Sequence, residues 1–207
     1  MSNPWLDIPL ADYEGHMRSA EVQQLDVLSE LFAAALEFCQ PTSVAVLGVA
    51  GGNGLDRIDA RVTKRIAALD LNPHYLAETR NRYKGTCGLE THCVDLARDR
   101  IELEPVNLVH AALIFEHAGI GRCLENAVSL VDAGGALSIV LQLPGAVEPG
   151  VGASQFPSIG RLKDHFSLVD PLGLSRELAI RGFRIVHETD RSVPAGKRLW
   201  MGIFKRC

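Results

Sequence analysis

Residues 44–54 read Val44-Ala45-Val46-Leu47-Gly48-Val49-Ala50-Gly51-Gly52-Asn53-Gly54, and this stretch decides the fold. An apolar run rich in Val and Leu meets four glycines between Gly48 and Gly54. Such a run is a buried strand giving way to a turn that brings backbone close to something, because glycine tolerates positive φ and carries no Cβ. In open α/β sheets ligands bind beyond the carboxyl ends of the strands, where this turn sits. A tight strand-to-helix turn with no ligand has the same appearance, so the glycines alone are a weak signal. Asp70, which closes the next apolar run, strengthens it.

Outward from this stretch the chain alternates. Near-continuous apolar runs at 44–49, 65–70, 89–94, 106–111 and 136–141 read as strands. Helices are predicted from Pro73 to about Tyr83 and from Ile120 to Val131, with a short one starting near Leu55. Apolar strands separated by helices make a parallel sheet covered on both faces. Pro- and Gly-rich residues 144–160 form a long loop, followed by helical pattern at 162–166 and 174–180. The runs 183–188 and 198–204 have no room for a helix between them, so they pair antiparallel at one sheet edge. Before the first strand, residues 4–17 read as irregular and 18–39 as a helix, with Val22, Leu25, Leu28, Phe32, Leu36 and Cys39 on one face. The predicted fold is α/β: an open, doubly wound, mostly parallel seven-stranded sheet with an antiparallel C-terminal hairpin and an N-terminal helical extension. Residues 1–42 are read as a lid and helix packed on the core, and 43–207 as the sheet domain.

Composition narrows the function classes. The chain has 207 residues, 47% of them hydrophobic, and a formal charge of -4. The pI is about 6.0, so no overall positive field invites nucleic acid or an anionic membrane. The basic groups at 80–84 and 205–206 read as solvated faces. Five cysteines, an odd number with no Cys-x-x-Cys pair, suit neither a disulfide framework nor a zinc site. Reduced thiols, the absence of signal-peptide character at the N-terminus and the lack of a membrane-length apolar run give a cytoplasmic expectation. No His, Asp or Glu spacing suggests a metal site. Apolar groups near the C-terminal hairpin leave a homodimer open.

Two carboxylates suit a nucleoside. Ribose has neighbouring hydroxyls that an ionised carboxylate accepts from, and Asp70 stands beside the glycine turn. Adenine donates from its exocyclic amine, and Asp95 ends the next strand along the same sheet edge. Each Asp is equally a residue that caps a following helix. A dinucleotide fits poorly, because Gly48–Gly54 departs from Gly-x-Gly-x-x-Gly. A short-chain-type Tyr-x-x-x-Lys is absent: Tyr13, Tyr75 and Tyr83 are followed four residues on by Met17, Thr79 and Cys87.

From about Ser43 to Phe204 the chain resembles the class I (Rossmann-like) S-adenosylmethionine-dependent methyltransferases. Val46–Gly54 is similar to the family's V-L-D-x-G-x-G-x-G motif, with Gly48 in place of the acidic residue and Ala50 in place of the first glycine. Asp70-Leu71-Asn72 resembles the ribose-binding acidic turn, and Val94-Asp95-Leu96 the adenine-binding turn. Asn107–His117, ending Glu116-His117, resembles the fourth-strand motif, and Leu130–Leu137 the L-x-P-G-G-x-L turn with Ala133 in place of Pro. The resemblance implies S-adenosylmethionine as cofactor, held by Gly48, Ala50, Gly52, Asp70, Leu71, Asp95, Leu96 and Ala111. It implies methyl transfer to a small-molecule acceptor. Glu116 and His117 are the candidate catalytic residues, although Glu116-His117 equally reads as a helix start. Tyr13, His16 and Gln142 are candidates for the acceptor side or lid, and Trp5 or Tyr13 for an aromatic face near the sulfonium. Alternatives are a non-catalytic S-adenosylmethionine or nucleotide binder and a nicotinamide-dependent oxidoreductase.

Overall fold

A computed structural model describes residues 3–145, 154–193 and 196–207. The helices are α1 (Leu10–Arg18), α2 (Leu25–Cys39), α3 (Pro73–Arg82), α4 (Phe115–Ala118), α5 (Gly121–Ser129) and α6 (Pro171–Ile180). The strands are β1 (Ser43–Leu47), β2 (Arg65–Asp70), β3 (Leu89–Cys93), β4 (Val106–Ala112), β5 (Val131–Leu143), β6 (Phe183–Ser192) and β7 (Arg198–Arg206). They form one seven-stranded sheet in the order β3-β2-β1-β4-β5-β7-β6. β1 to β5 pair in parallel, β7 runs antiparallel to β5, and β6 antiparallel to β7.

The order reverses between β1, which continues to β2, and β4 on its other side. That switch point opens a crevice at the carboxyl ends of β1 and β4. Both strands are buried on both faces, which is why they read as apolar runs rather than alternating ones. On one face α2 lays Leu25, Leu28, Leu31, Phe32, Ala35 and Leu36 against Val44, Val46, Leu108 and Val140. On the other, Cys123, Leu124 and Ala127 of α5 and Leu174 and Leu178 of α6 meet Ala45, Val109, Leu137 and Phe204. Polar residues start the helices: Asn72 Oδ1 accepts from His74 N–H ahead of Pro73, and Asp170 accepts from Leu172 and Gly173 N–H.

The largest departure from the sequence reading lies at the N-terminus. Residues 10–18 are helical rather than irregular, and the helix expected over 18–39 begins at Leu25. Ser19 is the extended residue after α1, and Gln23 takes a left-handed φ of 47°, so the chain turns sharply before α2. The helix expected to reach Val131 ends at Ser129, and β5 starts at Val131, with a register irregularity against β4 between Val106 and Leu108. The short helix near Leu55 is a single 3-10 turn, Leu55–Arg57. Of the loop expected over 144–160, residues 146–153 lie outside the described residues, and Pro157–His165 is 3-10 helical. β6 and β7 extend the expected hairpin to Ser192 and Arg206.

Candidate functional site

The glycine turn is held from two sides. Gly48 and Val49 N–H both donate to Leu69 O, at 2.9 and 3.0 Å, which ties the end of β1 to β2. Ala50 N–H donates to Asp70 Oδ2 at 2.8 Å. On the far side, α3 binds three successive carbonyls of the turn. Thr79 Oγ1 donates to Ala50 O at 2.8 Å, Arg82 Nη1 to Gly51 O at 3.2 Å, and Tyr83 Oη to Gly52 O at 2.7 Å. Positions 79, 82 and 83 share one helix face by their three- and four-residue spacing. The Arg82 reading as part of a solvated basic face is therefore corrected: its guanidinium also pairs with Glu14 of α1 above Gly51.

Two non-glycine residues here sit in the left-handed region, Ala50 at φ 49° and Leu113 at φ 54°. Side chains adopt that conformation rarely, and such strain concentrates at functional sites. Both residues face one cleft at the ends of β1 and β4. Gly48, at φ 70°, is glycine for a second reason: a Cβ there would stand 2.8 Å from Ile114 Cδ1.

The cleft encloses about 1110 Å³ of space, its solvent-open mouth included. Its floor is Gly48, Ala50, Asp70 and Leu71 with Asp95, Leu96 and Ala97, continuing to Ala112, Leu113 and Ile114 beyond β4. Asp70 Oδ1 accepts from Asn72 N–H at 2.8 Å, so its two oxygens brace the glycine turn and the start of α3 together. Burial pushes its carboxyl up to about 6, against the pull of those N–H groups. Asp95 Oδ1 accepts from Ala97 N–H at 3.0 Å, the capping arrangement, while its residue still lines the cleft.

The N-terminal segment and residues 154–166 roof the cleft. Asn72 Nδ2 donates to Trp5 O and Tyr75 Oη to Ile8 O, each at 2.9 Å. Ile8 packs with Ile159 and Leu162. Ser158 Oγ donates to Asp12 Oδ2 at 2.6 Å. Gly15 passes directly beneath the Phe156 ring, which a Cβ there would have to push aside. Tyr13 lies over the cleft between Trp5, at 5.6 Å edge-on, and Tyr75, at 6.3 Å stacked. Burial and the nearby Asp70 push the Tyr13 hydroxyl well above its ordinary range, so it stays protonated.

On the side of β5 and β7 the cleft has a polar corner formed by His16, Gln24, Gln142 and Lys197. Gln142 Oε1 accepts from Gln24 Nε2 at 3.2 Å and from Lys197 Nζ at 3.3 Å. His16 is 6% exposed and its Nδ1 has no hydrogen-bond partner among the described residues.

The structure thus brings Gly48, Ala50, Asp70, Leu71, Asp95, Leu96, Tyr13, His16, His117 and Gln142 to one cleft. Three of the expected residues stand off its wall. Gly52 faces the Tyr83 ring, 2.5 Å from where its Cβ would be. Ala111 is fully buried inside the sheet, paired with Leu47 and Ile139, and its neighbour Ala112 faces the cleft instead. Glu116 is buried beneath the wall, where Oε1 accepts from Gln142 N–H at 2.8 Å and burial pushes the carboxyl up to about 7. His117 is on the wall but packed, edge-on to Trp5 at 4.9 Å and to Phe166 at 5.3 Å, with burial pushing it down to about 4. Leu113, Phe166, Gln24 and Lys197 were not singled out from sequence. The left-handed φ of Leu113 has no residue-type signal, and Lys197 stands in a turn that reads as any other. Among the described residues no cluster of His, Cys, Asp or Glu could hold a metal ion, and no helix is long and apolar enough to cross a membrane.

No protein-family model matches the chain, and no curated protein matches it either. Solved structures do. The N-methyltransferase NodS from Bradyrhizobium japonicum WM9, in complex with S-adenosyl-L-homocysteine, is 14% identical, with 99% of each chain covered and a TM-score of 0.68. Magnesium protoporphyrin IX methyltransferase from Synechocystis PCC 6803, with bound S-adenosylmethionine, is 12% identical, covering 95% of this chain and 82% of its own at a TM-score of 0.64. The [4+2]-cyclase SpnF is 12% identical, covering 87% and 80% at a TM-score of 0.66. With the strand order and the glycine turn facing Asp70, these likenesses show that the chain has the Rossmann-like fold of the class I S-adenosylmethionine-dependent methyltransferases.

Proposed function

We propose that the protein is an S-adenosylmethionine-dependent methyltransferase acting on a small molecule. One observation carries the reading: the Asp70 carboxylate fixes the strained Ala50 turn and lines the same cleft as the Asp95–Ala97 turn. The residues present fit the cofactor. Asp70 keeps acceptor capacity on both oxygens for a pair of ribose hydroxyls, since each takes one backbone N–H and a carboxylate has about four acceptor positions. Asp95 and the backbone of Leu96 and Ala97 would hold the base. The bare main chain at Gly48 and Ala50 would hold the amino-acid end. The two left-handed residues and His16, whose buried Nδ1 has no partner among the described residues, all line this space.

The bound cofactor supplies a methyl group already activated on a positive sulfonium. The chain's own residues then have three tasks. The floor fixes the donor, the polar corner and the Trp5–Tyr13–His117–Phe166 wall fix the acceptor, and the roof excludes water. Fixing two reactants in line is worth roughly 7–11 kcal/mol of barrier, which leaves little for a strong base to add. The acceptor class is small because the cleft is roofed by the chain itself. The five unpaired cysteines suit a reducing compartment, the cytoplasm. Phe38 is exposed against His187 of β6, a surface a homodimer would cover, and light scattering reads that state directly.

The test is calorimetric titration with S-adenosylhomocysteine, then transfer of labelled methyl from S-adenosylmethionine into the low-mass extract of cells that make the protein. Binding together with labelled product is the expected result. Binding without product favours a second reading, an S-adenosylmethionine-fold protein with other chemistry, which the likeness to the [4+2]-cyclase SpnF keeps in play. Absence of binding removes both.

A further inference from the structure

We propose that His16 is the group that takes the proton from the methyl acceptor, and that the acceptor is therefore a protic nucleophile, a hydroxyl or an amine. The proposal rests on the methyltransferase reading above. Its warrant is placement. α1 presents Tyr13, His16 and Met17 to the cleft at the three- and four-residue spacing that puts side chains on one helix face. His16 therefore stands on the roof, on the side away from Asp95, next to a corner where Gln24 and Lys197 both donate to Gln142 Oε1. A buried polar atom without a partner is costly, so one carried by a residue that lines a cleft points to a ring that a ligand could partner. His16 lines the cleft, and its Nδ1 is a buried atom with no partner among the described residues.

The other ionisable groups nearby are worse placed for this work. His117 is wedged between Trp5 and Phe166, and its Nδ1 lies 3.3 Å from His165 O. Glu116 Oε1 accepts from Gln142 N–H and its Oε2 is buried without a partner among the described residues, but the residue stands off the cleft wall. His110 lies in the sheet, stacked on Phe32 and within 3.2 Å of Ser138 Oγ. The charged groups that act on His16 are Lys197, facing it from the turn before β7, and Glu21, from the α1–α2 connection. Burial and Lys197 hold its imidazole below the ordinary histidine range, against the opposing pull of Glu21, so it is neutral and able to accept.

The step balances. The lone pair of the acceptor oxygen or nitrogen forms the new bond to the methyl carbon. The carbon–sulfur bond breaks and its electron pair stays on sulfur, giving the neutral thioether. The acceptor's proton passes to the His16 imidazole, which releases it to water when the cleft opens. Neutralising the acceptor's developing positive charge in this way is general-base catalysis, typically worth 10²–10⁴ in rate. Gln142 lies beside that path, and its amide nitrogen is the hydrogen-bond donor that would orient the acceptor's heavy atom.

The experiment uses the full chain and tritiated S-adenosylmethionine with the low-mass metabolite extract described above, comparing the parent protein with His16→Gln. Affinity for S-adenosylhomocysteine is measured on both. The expected result has three parts: label recovered on oxygen or nitrogen, kcat lowered about 10²-fold in His16→Gln with the thioether bound within about twofold of the parent, and loss of the acid limb of the parent's pH profile. Three results overturn the proposal on its own: equal kcat in the two proteins, a kcat loss that leaves the acid limb in place, or product labelled on sulfur. A parent protein that binds the thioether but transfers no label removes the methyltransferase reading, and this proposal with it. If His16→Gln fails to bind the thioether, His16→Asn, which keeps an amide nearer the Nδ1 position, decides: restored binding with kcat still lowered supports the proposal, and lost binding makes His16 structural and overturns it.

Discussion

The Asp70 carboxylate makes a sharp prediction, because the group that would grip a ribose is also one that burial pushes up to about 6. Only the ionised form accepts hydrogen bonds from both hydroxyls while holding Ala50 and Asn72 N–H. Binding of S-adenosylhomocysteine should therefore draw on the ionised form and weaken as pH falls through 6. At pH 5, one unit below, about a tenth of the free protein is ionised, so the apparent Kd rises about tenfold over its value at pH 7.5. Asp70→Asn removes the charge and leaves one oxygen to serve two backbone donors. Hydrogen bonds to a charged partner are worth about 1.5–3 kcal/mol each, so losing one weakens binding by about 10- to 150-fold. The variant's affinity should also become independent of pH over this range. Isothermal titration of both proteins from pH 5 to 7.5 reads the two effects together. A parent affinity that is flat across that range, or Asp70→Asn binding within twofold of it, refutes the assignment of Asp70 to the ligand. For folding the sign is opposite. A carboxyl raised from 3.8 in the unfolded chain to about 6 in the fold costs stability as pH rises through that window. The full cost is about 3 kcal/mol at neutral pH, and a ligand that favours the ionised form offsets part of it.

Other perturbations test the scaffold beneath the cleft. Thr79→Val keeps the side-chain shape but strands Ala50 O without its 2.8 Å donor, so the urea midpoint should correspond to a loss of about 1–3 kcal/mol. Unchanged stability would mean the turn does not depend on α3. Gly88→Ala places a Cβ 2.0 Å from Lys64 O at φ 75°, and a backbone oxygen between β2 and β3 cannot step aside. A fall of several degrees in Tm is expected, and a shift under 1 °C counts against the observed pairing. His110 is pushed by burial down to about 3 from an unfolded value near 6.5. Its contribution is therefore complete above pH 6.5 and lost as pH falls toward 3, about 2 kcal/mol of it by pH 5. His110→Asn, which retains a partner for Ser138, should flatten that part of the stability–pH curve. Parallel curves would show that the histidine is not what acid attacks.

The sheet was legible because its signal is repeated. Val44–Leu47, Ile66–Leu69 and Leu108–Ala111 are each apolar on every residue or nearly so, and only a strand covered on both faces needs that. The floor of the cleft was legible for the same structural reason: a turn after β1 and acidic residues after β2 and β3 fall on one edge once the strands are parallel. The two motif positions that stand off that floor do so for a physical reason. Ala111 and Ala112 alternate across a strand end, and sequence does not say which points out. The motif position at Gly52 turns toward Tyr83, whose hydroxyl donates to the Gly52 carbonyl. The face formed by Thr79, Arg82 and Tyr83 carried no apolar periodicity, so its charged member looked like surface.

The roof was the least legible part, and its composition explains why. α1 is short, carries a glycine, and alternates apolar and polar side chains too evenly to show a buried stripe. It is helical because tertiary contacts hold it. Gly15 admits Phe156, Asp12 accepts from Ser158, and Glu14 reaches Arg82 above Gly51. The apolar side chains of α1 divide between core and cleft: Met17 packs with the α2 core and Tyr13 against it, and both also line the space beside His16. That division of labour argues that the roof was selected for what it encloses. A cover needed only for stability would look like α2, with Leu28, Leu31, Phe32 and Ala35 turned to the sheet. It would have no reason to set His16 and Tyr13 along the wall of a crevice beside the Gln24–Gln142–Lys197 corner.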